Sequence, residues 1–209
     1  MKAHQILLLV LIVTVFYSCE KSTTSDELPI LGRKEIKGRD TIYHKIGDFQ
    51  FVNQDSIVVT PASFKDKVYV ADFFFTSCPT ICPVMKSQMM RVYEEFKEND
   101  KVAILSHTID PEYDTVALLH DYADRLGVES PKWHFVTGEK EKIYDIGQTS
   151  YMVTAMEDEE EPGGFLHSGA FILVDKEKRI RGIYDGTEEK SVTKLIKDIH
   201  ILLSENNND

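Results

Sequence analysis

Cys78 and Cys82 lie in the stretch Phe73-Phe74-Phe75-Thr76-Ser77-Cys78-Pro79-Thr80-Ile81-Cys82-Pro83-Val84-Met85. Thiols in such a pair close a structural disulfide, exchange disulfides with a substrate, or hold a metal ion. Pro83 has no backbone N–H and suits the first turn of a helix, so Cys82 should open that helix with Cys78 about one turn earlier in the loop. There the free N–H groups and the positive end of the helix dipole favour thiolate, the form that attacks disulfides and binds metals. Three intervening residues separate the sulfurs enough for a soft ion and still permit a disulfide. Two prolines and the helix-start position weigh against a purely structural bridge.

A soft ion held by two thiolates needs at least one more ligand. Copper(I) accepts thiolate together with imidazole, whereas zinc would want four ligands, for which no further cysteine is offered beyond Cys19 in the leader. Of the seven histidines, His4 is in the leader, His44 in the N-terminal extension, and His120 and His200 on helical patterns. His134 follows Trp133 in a strand and reads as packed. Two contenders remain. His107 ends a strand beside Asp110-Pro111, and His167 follows Pro162-Gly163-Gly164-Phe165-Leu166 just before the strand Ala170 to Val174. Met85 and Met89, at helical spacing, read as core rather than as ligands.

The elements that must position these residues follow from periodicity. Val68 to Phe75 is a continuous apolar run, the mark of a strand buried on both faces. Val84, Met85, Gln88, Met89, Val92, Tyr93 and Phe96 recur at three- and four-residue spacing and form one helix face. Val102 to Leu105 is a second buried strand, and Val116 to Leu126 a second helix stopped at Gly127. Trp133 to Val136 predicts a strand and Glu139 to Ile146 a short helix. Ala170 to Val174 and Ile180 to Tyr184 are strands joined by a turn at Asp175 to Lys178, and a last helix carries Val192, Leu195, Ile196, Ile199, Leu202 and Leu203. Upstream, Asp48 to Thr60 reads as a β-hairpin, with a short helical turn at Pro61 to Phe64. Alternating strands and helices closed by a hairpin and a helix give an α/β fold, a mixed central sheet flanked by helices with an N-terminal β-hairpin extension. This order is the thioredoxin-like plan.

The 209 residues carry a net charge of −11, which excludes a nucleic-acid binder of the usual basic kind. The acidic run Glu157 to Glu161 reads as a solvated loop. Ile6 to Tyr17 is an apolar run of twelve, too short for the ~20 residues of a membrane span but suited to a signal-peptide core. The following Ser18-Cys19 resembles a bacterial lipoprotein cleavage site. The chain is therefore expected to divide into a signal peptide (1–18), a tether lipidated at Cys19 (19–38), one domain (39–205) and a frayed tail (206–209). An exported, membrane-anchored lipoprotein facing the periplasm is the expected location.

The run Asp72 to Met85, the later Thr108-Ile109-Asp110-Pro111-Glu112-Tyr113-Asp114-Thr115, and His167-Ser168 together resemble the Sco/SenC family over about residues 28–203. That resemblance implies a membrane-tethered copper protein that helps assemble the binuclear copper centre of cytochrome c oxidase. It implies Cys78 and Cys82 as thiolate ligands, His167 as the imidazole ligand, and Asp110 as an acidic residue near the site or a partner contact. Leu166 departs from relatives that place Asp before the ligand histidine. Thioredoxin reductants carry Cys-x-x-Cys and a proline before the neighbouring strand, where this chain has His167-Ser168-Gly169. The expected function is a copper metallochaperone, monomeric, delivering one copper ion to a cytochrome oxidase subunit. The alternatives are a thiol–disulfide oxidoreductase acting on that subunit's cysteines and a redox-signalling thiol protein, both of which need only Cys78 and Cys82 as a redox pair.

Overall fold

The computed structural model describes residues 27–158 and 164–205. The stretch read as signal peptide, the start of the stretch read as tether, Cys19, most of the acidic run and the tail lie outside them. In chain order the elements begin with β1 (Lys34–Lys37), β2 (Asp40–Tyr43), β3 (Phe51–Asn53), β4 (Val58–Val59), β5 (Val68–Phe74) and α1 (Cys82–Phe96). There follow β6 (Val102–Thr108), α2 (Val116–Leu126), β7 (Trp133–Thr137), α3 (Lys140–Asp145) and a π-helical turn at Ile146–Ser150. The chain closes with β8 (Ala155–Glu157), β9 (Phe165–His167), β10 (Ala170–Val174), β11 (Ile180–Asp185) and α4 (Glu189–Glu205).

Seven strands form one sheet in the order β11-β10-β5-β6-β7-β3-β4. β5, β6 and β7 run parallel and are buried at every residue, as their predominantly apolar composition, broken in β5 only by Asp72, requires of strands covered on both faces. The outer strands β3, β4, β10 and β11 pair antiparallel. On one face Phe74 and Phe135 meet Tyr122 of α2 at 5.6 and 5.3 Å between ring centres, and Trp133 meets Tyr93 of α1. On the other, Phe73 and His107 meet Tyr151, and Tyr69 stacks against Phe64 of the 3-10 turn Pro61–Phe64. The layered plan expected from the sequence is the one observed.

Helix boundaries follow local chemistry. α2 starts where the Thr115 hydroxyl accepts the Leu118 N–H, and stops at Gly127, whose φ of 69° lies in the left-handed region that favours glycine. α1 buries Cys82, Met85, Met89, Val92 and Phe96 along one stripe, each large side chain contributing about 1.5–3 kcal/mol by leaving water. Met85 and Met89 are core, as their spacing predicts. α4 lies against α1, where Arg91 donates to the Thr193 hydroxyl at 2.7 Å, and against β11, where Tyr184 donates to buried Asp198 at 2.6 Å.

The hairpin read over Asp48 to Thr60 exists as β3–β4, with Phe51 opposite Val59. It is not an appendage, because β3 also pairs with β7 and makes the pair an edge of the main sheet. The protruding hairpin is instead β1–β2, whose eight strand residues are all exposed. Its first strand falls within the stretch read as tether, and the chain is already fastened before it. Buried Arg181 donates to the carbonyls of Leu28 and Pro29 and pairs with Asp175 and Glu205, while the Leu28 N–H donates to Glu205. Leu31 then bridges to Ile180. Among the described residues no helix is long and apolar enough to cross a membrane.

Candidate functional site

β5 delivers the chain to the loop Phe75–Ile81, and α1 begins at Cys82 with Pro83 in its first turn. What holds this loop is Asp114, fully buried at the start of the segment leading into α2. Its carboxylate accepts the Thr76 N–H at 3.1 Å, the Thr76 hydroxyl, and the Thr108 hydroxyl at 2.5 Å. One side chain thereby ties the cysteine loop to the end of β6. Such hydrogen bonds to a buried charge are stronger than neutral ones, at about 1.5–3 kcal/mol each. Behind Asp114, Asp110 starts the turn: its carbonyl accepts the N–H groups of Tyr113 and Asp114. Burial raises the Asp110 carboxyl, partly offset by its bond from Tyr113.

Both thiols are nearly covered, Cys78 at 8% and Cys82 at 6% exposure. Their pKa values move in opposite directions, although the sequence predicts thiolate character at both. For Cys78, burial pushes the pKa up, but hydrogen bonds from the backbone N–H groups of Thr80 and Cys82 and from the Cys82 thiol and Thr80 hydroxyl outweigh it and leave it lowered. The Thr80 Oγ1 lies 3.7 Å from the Cys78 sulfur. For Cys82, burial wins and raises it far above the ordinary value, despite the Phe75 N–H, because the Cys78 thiolate and Asp72 add negative charge nearby. The helix start alone does not decide a thiol's state; the donors that actually reach each sulfur do. The pair is therefore unequal: Cys78 is the sulfur more easily ionised, and it accepts a hydrogen bond from the Cys82 thiol.

Asp72 is the less expected feature. It sits in β5 with 5% exposure and accepts the Ser106 hydroxyl at 2.5 Å, while the Trp133 indole N–H donates to that same Ser106 oxygen at 2.9 Å. Burial pushes its carboxyl up to about 7, with the Ser106 bond pulling the other way. A carboxyl that titrates near neutrality therefore lies beneath the cysteines, close enough to raise both Cys82 and Tyr122.

The two contending histidines separate clearly. His107 is fully buried in a cage of Phe49, Phe51, Phe73 and Tyr151, stacked on Phe73 at 4.8 Å. Burial drives its pKa down to about 3, so it is neutral. Its Nε2 has no hydrogen-bond partner among the described residues, and it is a packing group of the sheet face away from α1. His167 ends β9, its backbone opposite Ala155 of β8. The chain then passes the cysteine loop: a Cβ at Gly169 would lie 3.7 Å from the Ile81 side chain, and the Phe165 ring is 5.0 Å from Phe75. The β8–β9 hairpin is steadied by Lys140, which pairs with Glu157 and reaches Glu112 at 3.8 Å. His134 is packed as expected, bonded to Asn53 at 3.0 Å. The His167 side chain lies outside the described part of the structure, and among the described side chains no group of three His, Cys, Asp or Glu is placed to hold a metal ion.

Three positioning residues were not singled out from the sequence. Asp72 carried a signal, being one carboxylate in an otherwise apolar strand. Asp114 stood in the quoted motif without a role, because Thr76 is 38 residues away and Thr108, six away, meets it only across the end of β6. Lys140 had no signal beyond a basic residue opening a short helix.

The sequence model of the SCO1/SenC family matches residues 38–204. Three solved structures show the same architecture. A SCO1/SenC family lipoprotein from Bacillus anthracis is 28% identical, covering 77% of this chain and 95% of its own, with a TM-score of 0.69. BsSco, described as a member of the Sco family of cytochrome c oxidase assembly proteins with a disulfide switch, is 31% identical over 76% of this chain and 93% of its own, at a TM-score of 0.67. Arabidopsis thaliana ScoI with copper bound is 28% identical over 74% of this chain and 97% of its own, at 0.61.

Proposed function

The chain belongs to the SCO1/SenC family, and on that premise we propose that it is a copper metallochaperone in which Cys78, Cys82 and His167 hold one copper ion for transfer to a cytochrome oxidase subunit. The observation that supports this reading is that the residues flanking His167 border the cysteine loop, Phe165 against Phe75 and Gly169 against Ile81, while the two thiols are in hydrogen-bond contact with each other. Two sulfurs and an imidazole form a donor set that suits a soft monovalent ion. Cys78 enters the site already biased to thiolate; Cys82 must release its proton on binding, so loading should free protons. Cys19, as a lipidated anchor, would keep the domain on the membrane that holds the receiving subunit, and the relative from Bacillus anthracis is itself described as a lipoprotein. The test is copper titration of the reduced protein. One equivalent should bind to the wild type, with Cys78→Ser and His167→Ala each weakening it at least about hundredfold; copper binding unchanged in both variants overturns the assignment.

A second reading is favoured by the unequal thiols. A lowered Cys78 beside a raised Cys82 is the order a disulfide reductant needs. The Cys78 thiolate attacks a substrate disulfide and expels one substrate thiolate. Cys82 then loses its proton and attacks the Cys78 sulfur, releasing the second substrate thiolate and leaving a Cys78–Cys82 disulfide. Copper-free His167→Ala should retain this activity, which separates the two roles; both use the same thiols and are compatible.

A further inference from the structure

We propose that the β1–β2 hairpin and the lysine-lined hollow beside its root form a surface that docks on an anionic lipid bilayer. The proposal rests on the membrane-tethered reading above for its setting.

The hairpin is anomalous on three counts. It is a two-stranded sheet of its own, and such a pair is marginal in water without a surface to pack on. It presents Ile36 at 79%, Ile42 at 47% and Tyr43 at 36% exposure, with Ile36 and Tyr43 on one face of the pair. From Arg33 to Lys45 the chain carries five basic side chains against two acidic ones, in a protein whose net charge is −11. Lys37 pairs with Glu35 at 3.5 Å, leaving the excess positive. Basic residues interleaved with exposed isoleucine and tyrosine are what a lipid interface accepts: the cations meet headgroups and the apolar and aromatic side chains enter the boundary beneath.

Placement agrees. The hairpin is rooted through Leu31 on Ile180 and Ile46 on the Lys178 carbonyl, at the β10–β11 turn. Val174 beside that turn pairs with Tyr69 at the start of β5, so this is the end of the sheet opposite the cysteines. There Lys45, Lys65, Lys176 and Lys178 line a hollow of about 370 Å³ floored by Phe64 and Tyr69. Glu177 lies 3.9 Å from Lys176 and Asp48 3.5 Å from Lys178, so the rim is mixed but basic in balance. From Cys19 to Leu28 is nine residues, at most ~30 Å of extended chain, so a chain anchored at Cys19 keeps this pole within reach of the bilayer and the thiol pole facing away.

The test uses the full chain carrying Ile36→Trp, with the buried Trp133 as internal background. Vesicles are phosphatidylcholine with about a third phosphatidylglycerol, or phosphatidylcholine alone, each including acyl-chain-brominated lipid. Flotation in high salt reports anchoring; quenching of the new indole at low salt reports docking, whether the chain is anchored or merely mixed with vesicles. Docking predicts quenching in the anionic vesicles only, reversed by high salt. It also predicts vesicle affinity about a hundredfold weaker in K34Q/K37Q/R39Q, at roughly fivefold per charge. A chain that floats but shows no quenching overturns the docking surface and leaves the anchor standing. Quenching without flotation does the reverse. An emission change that follows protein concentration without lipid means self-association through the hairpin and also overturns the proposal.

Discussion

Replacing Asp72 by Asn isolates the most displaced carboxyl of the site. Asp72 rises from an ordinary 3.8 to about 7 because it is buried, with the Ser106 hydroxyl donating to it. Between those two values the folded protein holds a proton that the unfolded chain has released, so stability falls as pH rises through this window and is flat above it. About three pH units at about 1.4 kcal/mol each give a penalty of about 4 kcal/mol in full at pH 8 and nearly absent at pH 4. Asn keeps the acceptor for the Ser106 hydroxyl and cannot ionise. The variant should therefore match the wild type near pH 4 and exceed it at pH 8, by about 2–4 kcal/mol. With a urea slope of about 2 kcal/mol/M, the midpoint would move up by about 1–2 M. His107 and His134, pushed down by burial to about 3 and about 4, act in the opposite sense, losing stability as pH falls below the ordinary histidine range. The difference between variant and wild type cancels them. Urea midpoints separated by the same amount at both pH values would refute the reasoning. Because the Asp72 charge also raises Cys82, the variant should bring the Cys82 titration down.

Two further outcomes follow from the same geometry. Iodoacetamide should label Cys78 at least about tenfold faster than Cys82 near neutral pH, with a rate profile whose midpoint lies below that of an ordinary thiol; mass spectrometry locates the label, and equal labelling contradicts the assigned asymmetry. Asp114→Ala strips the acceptor from Thr76 and Thr108, so it should cost about 3 kcal/mol in urea unfolding. It should also erase the preference of the label for Cys78; a cost under about 1 kcal/mol would mean that the loop is held by other contacts.

Much of this was legible in the chain because the central strands are buried on both sides and so are apolar along most of their length, as Val68–Phe74 shows with Asp72 its one charge-bearing residue. Gly127 ends α2 as read, and Pro83 marks the start of α1 with Cys82 ahead of it. The β1–β2 hairpin was not legible because all its residues face water, and a strand with no buried face leaves no alternation to read. Nor was the inequality of the thiols, since position at a helix start is shared by both while the Thr80 and Phe75 N–H groups reach different sulfurs. Asp114 escaped because its partners lie 38 and 6 residues away in sequence, a relation only the folded sheet edge creates. His107 looked suitable by its place at a strand end, but strand alternation turns it to the aromatic face.

Arg181 deserves a mechanical reading under the tethered arrangement. A domain held by one end is tugged along that end whenever it drifts from its surface. The pull would arrive at Leu28, where the Arg181 guanidinium and Glu205 grip the backbone and pass the load to Asp175 and to the last turn of α4. The strands that carry the cysteine loop are then loaded through the body of the sheet rather than peeled from one edge. If the chain is tethered, the knot would work as strain relief does at the neck of a cable, meeting a pull on the leash before it reaches the cysteine loop.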